Sequence, residues 1–208
     1  MLRILRGREG DALEVVGSDG ALFLAELGAG SETTVLEPLE GYEEAGLTLY
    51  QAVPKGGRMD LVVEKATEVG ATRIVPLLTA RGLVRPRDAK VGRWRRVAEA
   101  AARQSQRLSV PEVAEPVGFP EAIGEAGTGG VLLHNDLELE PLEAVIRAPA
   151  SLFVGPEGGW SEEELRSAEE AGLALAQLGP YRLRSETAGV VAAARARAVL
   201  ERYVRESG

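Results

Sequence analysis

The chain has 208 residues, 45% of them hydrophobic, a formal net charge of −8, no cysteine and one histidine. This length and apolar fraction suffice for one domain of ordinary size plus a small one, which excludes a disordered chain. The cysteine count excludes disulfide and thiolate chemistry, a single histidine gives little basis for a zinc centre, and no apolar run reaches the roughly 20 residues of a membrane span. A cytoplasmic protein with no metal and no membrane contact is expected.

Residues 1–36 alternate short apolar runs (13–16, 21–27 and 33–36) with turn residues, and Asp19-Gly20 between the first two runs is a hairpin signal. They predict a small β unit, too short to close a barrel alone. Residues 37–46, with Pro38, Gly41 and four glutamates, read as a linker, so the domain division is expected at 1–40 and 41–208. Beyond it, strand and helix patterns alternate. Residues 47–53 predict a strand and 59–69 a helix, with Leu61, Val62, Lys65, Ala66 and Val69 at helical spacing and Gly70 as the terminating glycine. The next strand is predicted at 74–78, then a long helix over 90–107 with Trp94, Val97, Ala98, Ala101 and Ala102 inward and arginines outward. Short elements follow at 109–113, 120–125 and 131–134. The chain then reads as a strand ending at Val154, a helix over 163–171, a strand over 173–178 and an alanine-rich helix from about 187 to 204. Such alternation predicts an α/β domain.

The stretch 152–160, Leu-Phe-Val-Gly-Pro-Glu-Gly-Gly-Trp, joins a buried strand to a helix whose start is marked by the capping box Ser161-x-x-Glu164. Glycines lack a Cβ and let backbone amides approach a ligand closely. The spacing matches neither a dinucleotide nor a P-loop motif, and Glu157 in the loop would repel a pyrophosphate, so a neutral or cationic ligand fits better. A tight turn with no ligand fits the same residues. Positions 81–107 carry nine basic residues against Asp88 and Glu99, which reads either as a nucleic-acid surface or as a solvated helix face.

Two loops, 155–159 and 179–187, follow strands successive in the chain and are expected side by side, with a third, 55–58, completing one pocket. Ligands of open α/β sheets bind at such carboxyl ends. The pocket would hold Lys55, Arg58, Glu157, Arg182, Arg184 and Glu186, a set suited to binding, orientation and electrostatics rather than covalent catalysis.

Five segments in order, Lys55-Gly-Gly-Arg-Met-Asp, Glu68-Val-Gly-Ala-Thr-Arg-Ile-Val-Pro-Leu, Ala101-Ala-Arg-Gln-Ser-Gln-Arg with Val110-Pro-Glu, Val154-Gly-Pro-Glu-Gly-Gly, and Leu178-Gly-Pro-Tyr-Arg-Leu-Arg-Ser-Glu-Thr-Ala, resemble the RsmE family of SPOUT methyltransferases. That family methylates N3 of a uridine in 16S (small-subunit) ribosomal RNA using S-adenosylmethionine. The resemblance covers residues 47–204 and implies a trefoil-knotted α/β domain, a homodimer, and an N-terminal PUA-like β-barrel for RNA. Family members carry more residues ahead of the segment resembled by 2–11, so a truncated barrel lacking its first strands is expected here.

Carried over by residue, the resemblance implies a cofactor site of Leu133 and His134, then Val154, Gly155, Glu157, Gly158 and Gly159, then Leu178, Gly179, Arg182, Leu183 and Thr187. Uridine N3 is a weakly acidic imide that must lose its proton before it attacks a methyl group, so a cation beside a uridine carbonyl would help. Arg184 is the first candidate and Arg58 the second, with Glu186 a candidate base and His134 a weaker one. Lys55, Arg103, Gln104 and Arg107 are candidate RNA contacts. Three other readings remain beside this one: a noncatalytic RNA-binding or ribosome-associated protein of the same fold, a SPOUT enzyme of different site specificity, and another type of nucleotide-binding α/β enzyme.

Overall fold

A computed structural model describes residues 8–17, 20–41, 44–84 and 88–207, and the chain divides into two compact units at Glu43/Glu44. The first unit is an antiparallel three-stranded sheet, β1 (Ala12–Val16), β2 (Leu22–Leu27) and β3 (Thr33–Leu39), in that order. The turn residues Ser18 and Asp19, and the 2–7 part of the segment expected to start a barrel, lie outside the described residues. The β1–β2 register pairs Val16 with Leu22, and the β2–β3 register shifts between Leu24 and Ala25. The predicted linker starts three residues late, because β3 continues through Pro38 to Leu39. Proline lacks the N–H a ladder needs and is tolerated on an edge strand, which β3 is.

The second unit is α/β, built on an all-parallel sheet ordered β10-β8-β9-β4-β5-β6, with the two-residue β7 also pairing β5. Its strands are β4 (Leu47–Ala52), β5 (Arg73–Leu78), β6 (Glu112–Val113), β7 (Val117–Gly118), β8 (Gly130–Leu133), β9 (Ala150–Val154) and β10 (Ala174–Ala176). Parallel strands need crossovers, and helices α1 (Met59–Glu68), α2 (Asp88–Gln104), α3 (Phe119–Ala126), α4 (Leu142–Val145), α5 (Glu162–Glu170) and α6 (Ser185–Ser207) occupy the intervening and final stretches. Helix α4 was not predicted. Four residues carry too little periodicity to announce a helix.

Alternation along each strand divides the core between two faces. Leu47 and Leu49 of β4 and Leu152 and Val154 of β9 pack in one cluster with α1, α2, α4 and α6, through Met59, Val62, Trp94, Leu142, Ala193 and Leu200 among others. Tyr50, Phe153 and Leu132 face the other way, toward α3 and α5. There Tyr50 stacks on Phe153 with ring centroids 4.5 Å apart, and Phe119 bridges Phe153 and Trp160. Burying each such side chain stabilises the fold by about 1.5–3 kcal/mol, so both faces are anchored on the central pair β4 and β9. Helix α6 packs on these two strands and on α1, although the strand before it, β10, is at the sheet edge. The segment between β10 and α6 therefore crosses from the edge to the middle of the sheet.

Helix α2 ends at Gln104 rather than at Arg107, and Gln106 takes φ +58°. The turn directs Arg107 inward instead of along the helix surface. Its guanidinium is buried, donates to the carbonyls of Thr67 and Ala71 at 2.9 and 2.6 Å, and lies 2.6 Å from a Glu44 oxygen. An RNA contact by Arg107 is thereby corrected to an internal clamp.

Candidate functional site

The glycine-rich segment after β9 is held from several sides. Trp160 closes it, buried, with its indole Nε1–H donating to the Leu133 carbonyl at the end of β8, 2.9 Å away. A Cβ at Gly155 would sit 3.0 Å from that indole, so glycine is what allows the ring beneath the loop. Ser161 and Glu164 form the predicted capping box at the start of α5. Glu164 also accepts from the Ala80 N–H at 2.7 Å, which fixes the loop after β5 beside the glycine segment. The Arg81 guanidinium then donates to the Gly158 carbonyl at 3.2 Å.

The crossing segment before α6 forms the opposite wall. Arg195 reaches back from α6 to donate to the Leu178 carbonyl at 2.7 Å, and it is itself clamped by Glu143. The hydrogen bonds from that guanidinium hold the Glu143 carboxyl below its ordinary range. Gly179 turns with φ +114°, which side chains with a Cβ rarely adopt, and its N–H is accepted by the Gln177 side chain. Ser185, at the first turn of α6, donates to the Gly155 carbonyl at 2.7 Å and ties the two walls together.

Between the walls lies a cavity of about 600 Å³. The strand ends supply Leu133, His134 and Val154, the glycine segment Gly155, Glu157, Gly158 and Gly159, and the crossing segment Leu178, Gly179, Arg182, Leu183 and Arg184. All were expected from the sequence. The strands that carry the walls are not neighbours, however: β8 runs between β9 and β10, so two loops successive in the chain meet across a third strand end. That is why Leu133, His134 and Asn135 form the floor.

The residues match the RNA methyltransferase domain family over positions 42–197. The chain belongs to that family. It is 35% identical to the Synechocystis sp. ribosomal RNA small subunit methyltransferase E over 96% of this chain and 70% of that protein. The protein of the same name from Mycobacterium tuberculosis is 35% identical over 70% of this chain and 60% of its own length. Among solved structures, a Neisseria gonorrhoeae ribosomal RNA small subunit methyltransferase E bound to S-adenosyl methionine superposes with a TM-score of 0.80 at 31% identity, covering 93% of this chain and 85% of that one.

In this RNA methyltransferase domain, the third loop does not line the cavity as expected. Lys55 is exposed, and only its backbone N–H reaches the glycine segment, donating to Glu157 Oε1 at 3.1 Å. Arg58 lies 3.3 Å from the buried Glu186, whose other oxygen has no hydrogen-bond partner among the described residues. Neither of these two lines the cavity, and neither does Thr187. Sequence reasoning missed Arg81, Asn135, Tyr181 and Ser185, which do. For Arg81 a signal existed: it follows the carboxyl end of β5, the same kind of position as the other two loops.

Charge pairing covers part of α2 and leaves the arginines at the cavity without acid partners among the described residues. On α2, Arg93 pairs with Asp60 at 2.6 Å, Arg95 with Glu115 at 2.8 Å and Arg103 with Glu99 at 3.1 Å, so part of the basic run is neutralised, and Gln104 beside it is exposed. Arg81, Arg182 and Arg184 are exposed at the cavity and have no carboxylate partner among the described residues. Among the described residues, no group of three or more acidic or histidine side chains is arranged to hold a metal ion, and no helix is long and apolar enough to cross a membrane.

Proposed function

We propose that the protein is an S-adenosylmethionine-dependent methyltransferase that modifies N3 of a uridine in small-subunit ribosomal RNA. The observation that carries this reading is the cavity at the carboxyl ends of β8 and β9, walled by glycine backbone and flanked by Arg81, Arg182 and Arg184 without acid partners. The residues suit the cofactor: Gly155, Gly158 and Gly159 line the space, and the Glu157 carboxylate lines it for a molecule bearing a sulfonium and an ammonium. Family membership and the cofactor-bound relative support the same assignment.

When bound, S-adenosylmethionine supplies a methyl group on a positively charged sulfur. The chain's part is to orient, to exclude water and to stabilise charge. As the uridine imide loses its N3 proton, negative charge spreads to its carbonyl oxygens, and of the three cavity arginines, Arg81, Arg182 and Arg184, we assign Arg184 to them. The bound cofactor would supply the methyl that ends on N3, and the N3 proton would pass to solvent or a base. Arg58 and Glu186 spend their charges on each other away from the cavity, so the catalytic assignment rests on Arg184.

The same reading includes a trefoil knot where the segment before α6 crosses the sheet, a PUA-like role in RNA docking for the N-terminal unit, a homodimer, a cytoplasmic location and the assembled small subunit as substrate. Calorimetric titration of the protein with S-adenosylmethionine, with NAD and ATP as controls, tests the core of it. Selective micromolar binding, about −8 kcal/mol, is expected, followed by methyl transfer to small subunits. Arg184→Ala should lower that transfer about a hundredfold while changing cofactor affinity little. No binding by the folded protein would overturn the enzyme reading and favour a noncatalytic RNA-binding protein.

A further inference from the structure

Beneath the cavity a buried chain of hydrogen bonds runs from the central strand to the glycine segment. Gln51 on β4 is fully buried, and its side-chain Nε2 donates to the Ala52 carbonyl and to Ser185 Oγ, both at 2.9 Å. Ser185 Oγ is 2.7 Å from the Gly155 carbonyl. The direction of this chain is determined. A carbonyl oxygen only accepts, so the one hydroxyl proton of Ser185 goes to Gly155, and Ser185 must then accept from an amide N–H of Gln51. Both Gln51 amide protons are thereby committed, and its Oε1 is turned toward α6. There Gly189 makes room: a Cβ at that position would lie 2.1 Å from Oε1.

We propose that Gln51 and Ser185 are positioning residues that set the separation of the two cavity walls, with Gly189 as the backbone notch that lets the relay form. The three positions lie on β4, on the first turn of α6 and farther along α6, and the accepting carbonyl belongs to the loop after β9. Gln51 and Gly189 do not line the cavity, so they act on a ligand only through Ser185 and Gly155. The proposal rests on the cofactor reading for its binding readout, and it has a second readout that does not.

The test compares Ser185→Ala, which removes the hydroxyl, with Ser185→Thr, which keeps it. Both are measured for S-adenosylmethionine affinity by calorimetry, for melting temperature, and for hydrogen exchange of the amides at 157–160 in the free protein. A hydrogen bond of ordinary net strength corresponds to about a three- to tenfold effect. Ser185→Ala should weaken binding and speed exchange at 157–160 by that factor and lower the melting temperature by a few degrees, and Ser185→Thr should restore all three. Gln51→Leu should add little to Ser185→Ala, since partners in one relay are not additive. Gly189→Ala should reproduce the loss of affinity from outside the cavity. Wild-type affinity and exchange in Ser185→Ala, equal losses in Ser185→Thr, or full additivity with Gln51→Leu would overturn the proposal. Should the wild-type protein bind no S-adenosylmethionine, the cofactor reading fails, and exchange at 157–160 alone decides the relay.

Discussion

Tyr50 shows how one residue couples the core to its rim. Its ring is buried against Phe153, and its hydroxyl is 3.1 Å from a Glu125 oxygen that also holds Arg73. Burial, then the Glu125 carboxylate, pushes its pKa from 10.0 up to about 12. A raised value means the folded state keeps a proton that the unfolded chain gives up first. The stabilisation is full below pH 10.0 and is lost as pH rises toward about 12. Denaturant melts across that window should show wild-type stability falling faster than that of Tyr50→Phe, which lacks the titrating group. Parallel curves would show that the hydroxyl does not titrate differently in the two states. At this scale the sequence was readable for polarity and not for depth. Arg107 sits in a basic run and was expected outside, yet a single positive-φ residue before it turns it into a buried partner of Glu44. Arginine charge alone does not announce burial, because the compensating carbonyls come from Thr67 and Ala71 far away in the chain.

Among the elements, the glycine segment was the most legible, since its turn, its capping box and its close approach are all local properties. Gly159 takes φ +70°, and a Cβ at Gly158 would stand 3.3 Å from the Arg81 Cβ, tighter than an ordinary contact. Gly158→Val should therefore displace Arg81 and the loop and lower S-adenosylmethionine affinity at least tenfold, about 1.4 kcal/mol, while the melting temperature stays within a few degrees. Near-normal affinity would reduce the segment to a plain turn. The second use of Glu164, as acceptor for Ala80, could not be read in this way. The capping box is written within four residues, but its link to the loop after β5 joins positions 84 apart in the chain.

For the whole molecule, a chain of net charge −8 carries at its cavity three arginines, Arg81, Arg182 and Arg184, without carboxylate partners among the described residues. Binding of small-subunit RNA should then be strongly weakened by salt, through release of counterions from the few phosphates engaged. Arg182→Ala should reduce the slope of log affinity against log salt by roughly one, measured by filter binding at several salt concentrations. An unchanged slope would remove Arg182 from the phosphate contacts.

The sequence by itself determined the α/β class, most element positions, the glycine segment and the cavity residues of the two walls. The first three follow from periodicity, capping or turn chemistry within a few residues, and the cavity residues follow in the main from the family resemblance of the segments that carry them. The tertiary structure alone decided that β8 separates β9 from β10, that Arg81 enters the cavity while Arg58 and Glu186 stay outside it, and that Gln51 reaches Ser185 across 134 positions. Strand order and side-chain meetings of that kind depend on which distant segments pair, and no local pattern in the chain encodes the partner.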